Sequence, residues 1–410
     1  MNPLKKLLGQ TAIYGLSSIV GRLLNYLLVP LYTRYFTTSE YGDVTLLYAF
    51  VAFLLIVLTY GMETAFFRFS QRHPNKSIVY STSLISLLIS SCLFLVLTLF
   101  NAQAIADTLS FSAHPEYVQY FALILALDAL SAISFAKLRE QNRAVRFASI
   151  RLFNIFINIG LNLFFIVYCP LVLSNNLQGV ELIQSIYSED IGIGYIFISN
   201  LVASALTLML FVPQMLKSSW RFDADLWRKM MLYALPLMVA GLAGITNETI
   251  DRILLKYLLP ADVSASEIGL YSAFYKLSII MTLFVQTFRF AAEPFFFAQE
   301  KEKNAKAVYA LVMKYFTIVT ALIFLSVTIY YDLVKQFIGS DFHDERGAII
   351  VPILLLANLF LGLYYNLSVW YKLTEKTLFG AYMSLFGAGI TIVLNLLLIP
   401  KLGFVGSAWA

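Results

Sequence analysis

Eleven apolar runs of about twenty residues follow one another along the chain, near residues 11–33, 43–63, 78–100, 116–137, 148–169, 192–215, 231–253, 268–291, 309–331, 348–371 and 378–399. Twenty residues coiled as an α-helix match the hydrocarbon thickness of a bilayer. In that medium every backbone N–H and C=O must bond within its own segment, so each run is read as a helix. A twelfth run opens at Gly403 and stops at Ala410; on this reading the chain ends inside its twelfth span. The composition agrees, with 60% hydrophobic and 13% charged residues against roughly 25% charge in soluble domains. The net charge of +5 sits in short loops, so no nucleic-acid partner is expected.

Cations alternate between the two sets of loops. One set holds Lys5 and Lys6; Arg68, Arg72 and Lys76; Lys137, Arg139, Arg143 and Arg146; Lys217, Arg221, Arg228 and Lys229; Lys301, Lys303 and Lys306; and Lys372 with Lys376. The opposite set holds Arg34, Lys256, Lys335, Arg346 and Lys401. Because Lys and Arg accumulate on the cytoplasmic side, the N-terminus is expected there. Loops on both sides are short, and no extramembrane domain is expected.

The two halves resemble each other at a shift near 230 residues. Glu40-Tyr41-Gly42 followed by Tyr48-Ala49-Phe50 is echoed by Glu267-Ile268-Gly269 and Tyr271-Ser272-Ala273-Phe274. Leu161-Asn162-Leu163 is echoed by Leu394-Asn395-Leu396. Twelve spans then divide as six and six, residues 1–217 and 218–410. With an even number of spans in each half, both halves start on the same side. The repeat is therefore parallel, about an axis along the membrane normal, and such folds bind their substrate near the midplane.

Polar residues inside the spans fall on stripes. Thr11, Gly15, Ser18, Arg22 and Asn25 share one helical face, as do Arg151, Asn154, Asn158 and Asn162. Ser384, Gly387, Thr391 and Asn395 mark the corresponding span of the second half. Thr282, Gln286, Arg289 and Glu293 form another stripe, with Lys276 nearer the middle of that span. A charge at the bilayer centre costs about 2.5–3.5 kcal/mol on insertion scales. Arg22, Asp128 and Lys276 lie too deep for easy snorkelling and are read as cavity residues. Glu63, Arg289, Glu293 and Lys314 lie near cytoplasmic ends and can snorkel. Glu248, Asp251 and Arg252 lie near an outer end, where Glu248 can pair with Arg252 at i, i+4; they read either as a structural ion cluster or as coupling groups. The asparagines can equally well glue helices together.

Other patterns carry little. His73, His114 and His343 lie in three separate loops and Cys92 and Cys169 form no Cys-x-x-Cys, so neither a metal site nor a disulfide framework is expected. There is no G-x-x-x-x-G-K-[ST] and hence no ATPase within the chain. The opening MNPLKKLLGQ leads into a full-length helix rather than a cleavable signal.

Several stretches together resemble one family: VPLYTRYFTTSEYG after the first span, ITNETIDRILLKYLLPADVSASEIGLYSAFYKLSIIM over the seventh and eighth, the loop KLREQNRAVRF, and LLIPKLGFVGSAWA at the end. They resemble the polysaccharide-exporter branch, with its O-antigen and exopolysaccharide repeat-unit flippases, of the superfamily that also holds multidrug/toxin extruders and the peptidoglycan-precursor flippase. The resemblance implies an all-α fold of two six-helix lobes forming a V. It implies alternating access and transport of an undecaprenyl-diphosphate-linked oligosaccharide from the inner to the outer leaflet of a bacterial plasma membrane. Arg22 and Lys276 would then hold the diphosphate, with Arg151 and Arg289 widening the basic surface, since a diphosphate needs cations in a low-dielectric groove. Asn25, Asn154, Asn158, Asn162, Gln286 and Asn395 would line the cavity. Asp128, Glu248, Asp251 and Arg252 would serve ion coupling or gating.

On that resemblance the expected partners are a lipid-linked oligosaccharide, membrane lipids and the polymer-assembly machinery, with a monomeric transport unit. No cofactor is expected beyond H+ or Na+ as coupling ion. Two other functions fit a polytopic chain. A multidrug or toxin extruder would favour an acidic, aromatic cavity. A membrane polysaccharide polymerase or ligase would be an enzyme with a large outer loop rich in basic or His residues, whereas the longest outer loop here, between Cys169 and Gly192, carries Glu181, Glu189 and Asp190 and no His.

Overall fold

The computed structural model of the protein describes residue 15, residues 19–299, residue 302, and residues 304–374 and 378–410. Thr11, Ser18, several of the loop lysines and the Glu293 side chain lie outside the described residues. Every regular element among the described residues is helical. The first run is split at Leu27 into α1 (residues 19–26) and α2 (Leu28–Tyr35). There follow α3 (Thr38–Thr59), α4 (Met62–Arg72), α5 (Lys76–Phe100), α6 (Pro115–Glu140), α7 (Ala144–Leu163) and α8 (Gly194–Leu216). The second half holds α9 (Ala224–Leu258), α10 (Ala261–Leu277), α11 (Ile279–Gln299), α12 (Ala305–Ile329), α13 (Gly347–Leu373), α14 (Leu378–Leu402) and α15 (Phe404–Trp409). Nine helical stretches among the described residues are long and apolar enough to cross a membrane, or ten if the bent pair α10 and α11 counts as one span. Large apolar side chains remain outward on them, among them Leu93, Leu97 and Phe100 of α5 and Phe386, Val393 and Leu397 of α14. Exposure on that scale suits a lipid surround and not water.

The chain packs as two compact units, Phe50–Leu242 in one and Ser18–Ala49 with Ala243–Ala410 in the other. The division is not the one expected between residues 217 and 218. That boundary separates sequence repeats, whereas α9 runs unbroken from one packing unit into the other, and the first spans pack with the second half.

In the Phe50–Leu242 unit, α6 lies between α5 and α8. A row of small hydroxyl residues on α5 turns inward: Ser81, Thr82, Ser83 and Ser86 are all buried. Ser86 Oγ accepts from Trp227 Nε1 at 2.8 Å and bonds the Tyr60 hydroxyl at 2.7 Å. The Ser81 hydroxyl donates to the Arg221 carbonyl at 2.6 Å. Among lipid-embedded helices such bonds supply the specificity that apolar contact cannot, at about 0.6 kcal/mol each. The 38–72 span breaks between α3 and α4 at Gly61, whose φ of +73° and a clearance of 2.7 Å from the Ala234 carbonyl to a would-be Cβ exclude larger residues. In the same unit Glu63 pairs with Arg139 at 2.6 Å and Lys76 with Glu140 at 2.6 Å.

The other unit is organised by a self-complementary crossing of α3 and α10. A Cβ on Gly42 would lie 1.8 Å from the Ala265 carbonyl oxygen, and a Cβ on Gly269 would lie 1.8 Å from the Thr38 carbonyl oxygen. Thr38 bonds Ser266 at 2.8 Å, and the Ser272 hydroxyl donates to Thr45 at 3.0 Å across 227 residues of sequence. The same offset relates Gly42 to Gly269, so each contact on one helix has its repeat-related mate on the other. Reciprocity of that kind is the mark of a two-fold axis, and it is the geometry a parallel repeat requires. At the turn before α13 Arg346 bridges Glu267 at 2.9 Å and Asp344 at 2.8 Å and lies 4.2 Å over the Phe404 ring.

Two outcomes are expected. Gly42→Ala forces a methyl into the Ala265 carbonyl and should cost about 1–3 kcal/mol of overpacking, read as a lowered unfolding temperature in detergent; an unchanged temperature would mean that this crossing does not carry the unit. The Arg346 guanidinium beside Asp344 holds its carboxyl below the usual carboxylate range. The pairing therefore stabilises the turn above that range and is lost as pH falls through the lowered value. Wild type and Asp344→Asn should differ in unfolding temperature at neutral pH and converge as the pH falls below the usual carboxylate range.

Candidate functional site

Two adjoining cavities open inside the unit built around the α3–α10 crossing. The first, about 300 Å³, is lined by Asn25 of α1, Val29 and Tyr32 of α2, Tyr41, Val44, Thr45 and Tyr48 of α3, Glu248, Thr249 and Arg252 of α9, and Ser272, Tyr275 and Lys276 of α10. The crossing creates it: glycine-close helices bring the tyrosines that flank the contact on α3 to face Tyr275 and Lys276 on α10. The second, about 240 Å³, is lined by Asn247, Glu248, Asp251, Tyr271, Tyr275, Asn358, Thr391, Asn395 and Ser407 among others. Glu248 and Tyr275 belong to both walls.

Between the cavities lies a closed polar cluster. Arg252 Nη1 reaches Asp251 Oδ1 at 2.9 Å, with side-chain exposures of 9% and 12%. The Tyr271 hydroxyl donates to the other Asp251 oxygen at 2.6 Å. The guanidinium also donates to the Glu248 backbone carbonyl at 3.0 Å and lies 4.7 Å from the Tyr275 ring centre. The expected Glu248–Arg252 pair is therefore not formed. Asp251 lies on the inward side with Tyr271 and takes the arginine, leaving the Glu248 carboxylate to face the cavities. Of the charges around this site, Asp251 and Arg252 answer each other. Among the described residues Lys276 and the Glu248 side chain stand in no ion pair.

Lys276 sits one residue before the end of α10. After Ser278 the chain turns by 49° into α11 with no proline at the bend. The Ser278 amide lies 3.4 Å from the Phe274 carbonyl and its hydroxyl donates to the Tyr275 carbonyl at 2.8 Å. Discontinuous helices in transporters place their free ends at ligands; here the break holds the lysine at the cavity wall.

The remaining expected residues distribute as follows. Asn25 joins Lys276, Glu248 and Arg252 in the first cavity, and Asn395 joins Glu248 and Asp251 in the second. Arg22, one turn before Asn25, is exposed and lines neither cavity. Arg289 stacks 4.5 Å from the Tyr365 ring, which Gln286 also reaches, beside a separate small pocket with Phe288 and Asn366. The rest lie in the Phe50–Leu242 unit. Asp128 there faces Ser204 and Arg151, Asn154 donates to Thr207 at 3.0 Å, and Asn162 donates to Asn158 Oδ1 at 3.1 Å. Asn154 thus bonds across to α8, while Asn158 and Asn162 bond along α7. The sequence reading passed over the wall of tyrosines and Asn358; Tyr41 and Tyr48, seven apart, and Tyr271 and Tyr275, four apart, share helix faces and could have been read as such.

A multi-pass helical chain with a charged, tyrosine-walled cavity inside its membrane region has the build of a transporter. Residues 7–299 match the family described as polysaccharide biosynthesis protein, and the chain belongs to that family. In fold it is similar to the lipid II flippase MurJ in an inward closed conformation, at 16% identity and a TM-score of 0.71 over 97% of this chain and 83% of that one. It is also similar to an inward-facing multidrug resistance MATE family transporter of the MOP superfamily, at 11% identity and a TM-score of 0.64 over 97% and 90%. A third likeness is to a MOP superfamily transporter from Pyrococcus furiosus, at 14% identity and a TM-score of 0.57 over 97% and 90%. No curated protein matches by sequence.

Removing one member of a buried ion pair strands the other charge and costs about 3–5 kcal/mol. Asp251→Ala should accordingly lower the unfolding temperature far more than Tyr271→Phe, which removes a single hydrogen bond to a charged group, about 1.5–3 kcal/mol. Equal shifts for the two variants in a detergent melt would show that the cluster is not held as an ion pair.

Proposed function

We propose that this protein is a flippase that carries an undecaprenyl-diphosphate-linked oligosaccharide, a repeat unit of O-antigen, capsule or exopolysaccharide, from the inner to the outer leaflet of a bacterial plasma membrane. The observation that carries the reading is Lys276. It is a lysine in a membrane-spanning element, at the wall of a cavity, without a carboxylate in ion-pair distance among the described residues. An intramembrane cation that stands in no ion pair is costly, and an anionic ligand would supply a counter-charge in contact with it. Tyr32, Tyr41, Tyr48 and Tyr275 offer faces and hydroxyls for sugar, while the isoprenoid tail can stay in lipid. Membership of the polysaccharide biosynthesis family and the fold likeness to a lipid II flippase both support it.

On this reading the N-terminus is cytoplasmic, the transport unit is a monomer of two repeat-related six-helix halves, and the polymer-assembly machinery receives the product. H+ or Na+ drives the cycle, with Asp128 in one unit and Glu248 in the other as the carboxylates that could take it up. A cation-coupled multidrug extruder is the second reading, favoured by the fold likeness to a MATE family transporter and by the Glu248 carboxylate beside four tyrosines.

Deleting the gene should cause lipid-linked oligosaccharide to accumulate on the cytoplasmic leaflet, and re-expression should clear it. Lys276→Gln, if it inserts and melts like wild type, should lower export about 10- to 100-fold, the worth of one charged hydrogen bond. Unchanged lipid-linked sugars with altered drug sensitivity would move the assignment to an extruder. Single repeat units accumulating on the outer leaflet would indicate a polymerase or ligase.

A further inference from the structure

The first cavity contains a carboxylate that a simple anion site would not have. Glu248 shares its wall with Lys276 and Arg252, and it faces the second cavity as well. Its neighbours are committed: Asp251 takes Arg252 and the Tyr271 hydroxyl, and Arg252 bonds the Glu248 carbonyl and not its carboxylate. Its side chain is exposed to the cavities and pairs with no cation among the described residues. One 300 Å³ space is thus lined by a lysine and a carboxylate that stand in no ion pair among the described residues.

We propose that Glu248 sets the anion selectivity of this cavity, admitting a lipid diphosphate and rejecting the monoanionic phospholipids around the protein. The inference rests on the diphosphate reading given above. In the empty cavity the Glu248 carboxylate, in the same wall but outside ion-pair distance, offsets part of the charge of Lys276, which lets a lysine persist within the membrane at lower cost. A phosphodiester brings one negative charge and meets that carboxylate as a like charge, a juxtaposition that costs several kcal/mol where water is scarce. A diphosphate brings more charge and more acceptor oxygens, so its gain at Lys276 exceeds the cost of displacing Glu248. The displaced side chain has somewhere to go. The second cavity adjoins it and is lined by Asn358, whose amide gives one N–H to the Leu354 carbonyl and has a second to offer a carboxylate.

The test uses the whole chain in lipid nanodiscs, with two probes: undecaprenyl diphosphate and phosphatidylglycerol, each titrated and read by native mass spectrometry. Wild type should bind the diphosphate and discriminate strongly against phosphatidylglycerol. Glu248→Gln, which keeps the side-chain shape, should bind phosphatidylglycerol at least about tenfold more tightly and so collapse the ratio. Glu248→Asp should keep the wild-type ratio. A melting temperature measured alongside separates selectivity from folding, since a merely structural role would weaken both lipids together. An unchanged ratio in Glu248→Gln, with Lys276→Gln still weakening the diphosphate, overturns this inference and leaves the flippase reading standing. If Lys276→Gln does not weaken diphosphate binding, the flippase reading falls and this inference falls with it.

Discussion

The contact between the backbones of Gly42 and Gly269 places everything that has been described around the cavities. A carbonyl oxygen sits on each side where a methyl would otherwise be, so α3 and α10 approach as closely as two helices can. Within a bilayer there is no hydrophobic gain from bringing helices together, and close approach with hydrogen bonds is what remains. The reciprocity of the contact follows from the sequence repeat: two copies of one motif meet face to face, and each glycine meets the carbonyl one turn before the other. The residues one turn further in, Tyr48 on one helix and Tyr275 and Lys276 on the other, then have no choice but to line a common space.

Much of this was legible in the sequence. Apolar runs and the repeat follow from period and composition, and the depth of Lys276 in its run was enough to mark it as a cavity residue. The partners were harder to read. Spacing on one helix suggested Glu248 with Arg252, but the guanidinium had a closer alternative in Asp251 once Tyr271, from another helix, held that carboxylate in place. A pair chosen by tertiary contact cannot be seen in i, i+4 arithmetic. The helix breaks differ in this respect. The break at Leu27 does have a local cause, since Pro30 lacks the N–H that would bond the Tyr26 carbonyl and its ring crowds it, whereas the bend at Ser278 contains no proline or glycine and nothing local announces it. Arg22 is exposed one turn before Asn25 and lines neither of the two cavities.

Charge within the unit is divided between two tasks that make opposite demands. Asp251, Arg252 and Tyr271 satisfy one another completely, and a cluster so closed can hold α9 against α10 but has no capacity left for a ligand. Lys276 and Glu248 are the reverse, each left without an ion partner at the same cavity wall. A buried pair adds little net stability compared with apolar packing, but it fixes register strongly because breaking it is expensive. Fixing α9 in this way aims Glu248 at the junction of the two cavities, since it lies one turn from Arg252 on the same helix and its own carbonyl is held by that arginine. The closed cluster therefore acts as a positioning device for the open pair. The polarity of the site depends on which of its charges the protein has already answered: with Asp251 spent on Arg252, one cation and one acid remain at the cavity wall, and Lys276 is the charge that an anionic ligand would meet.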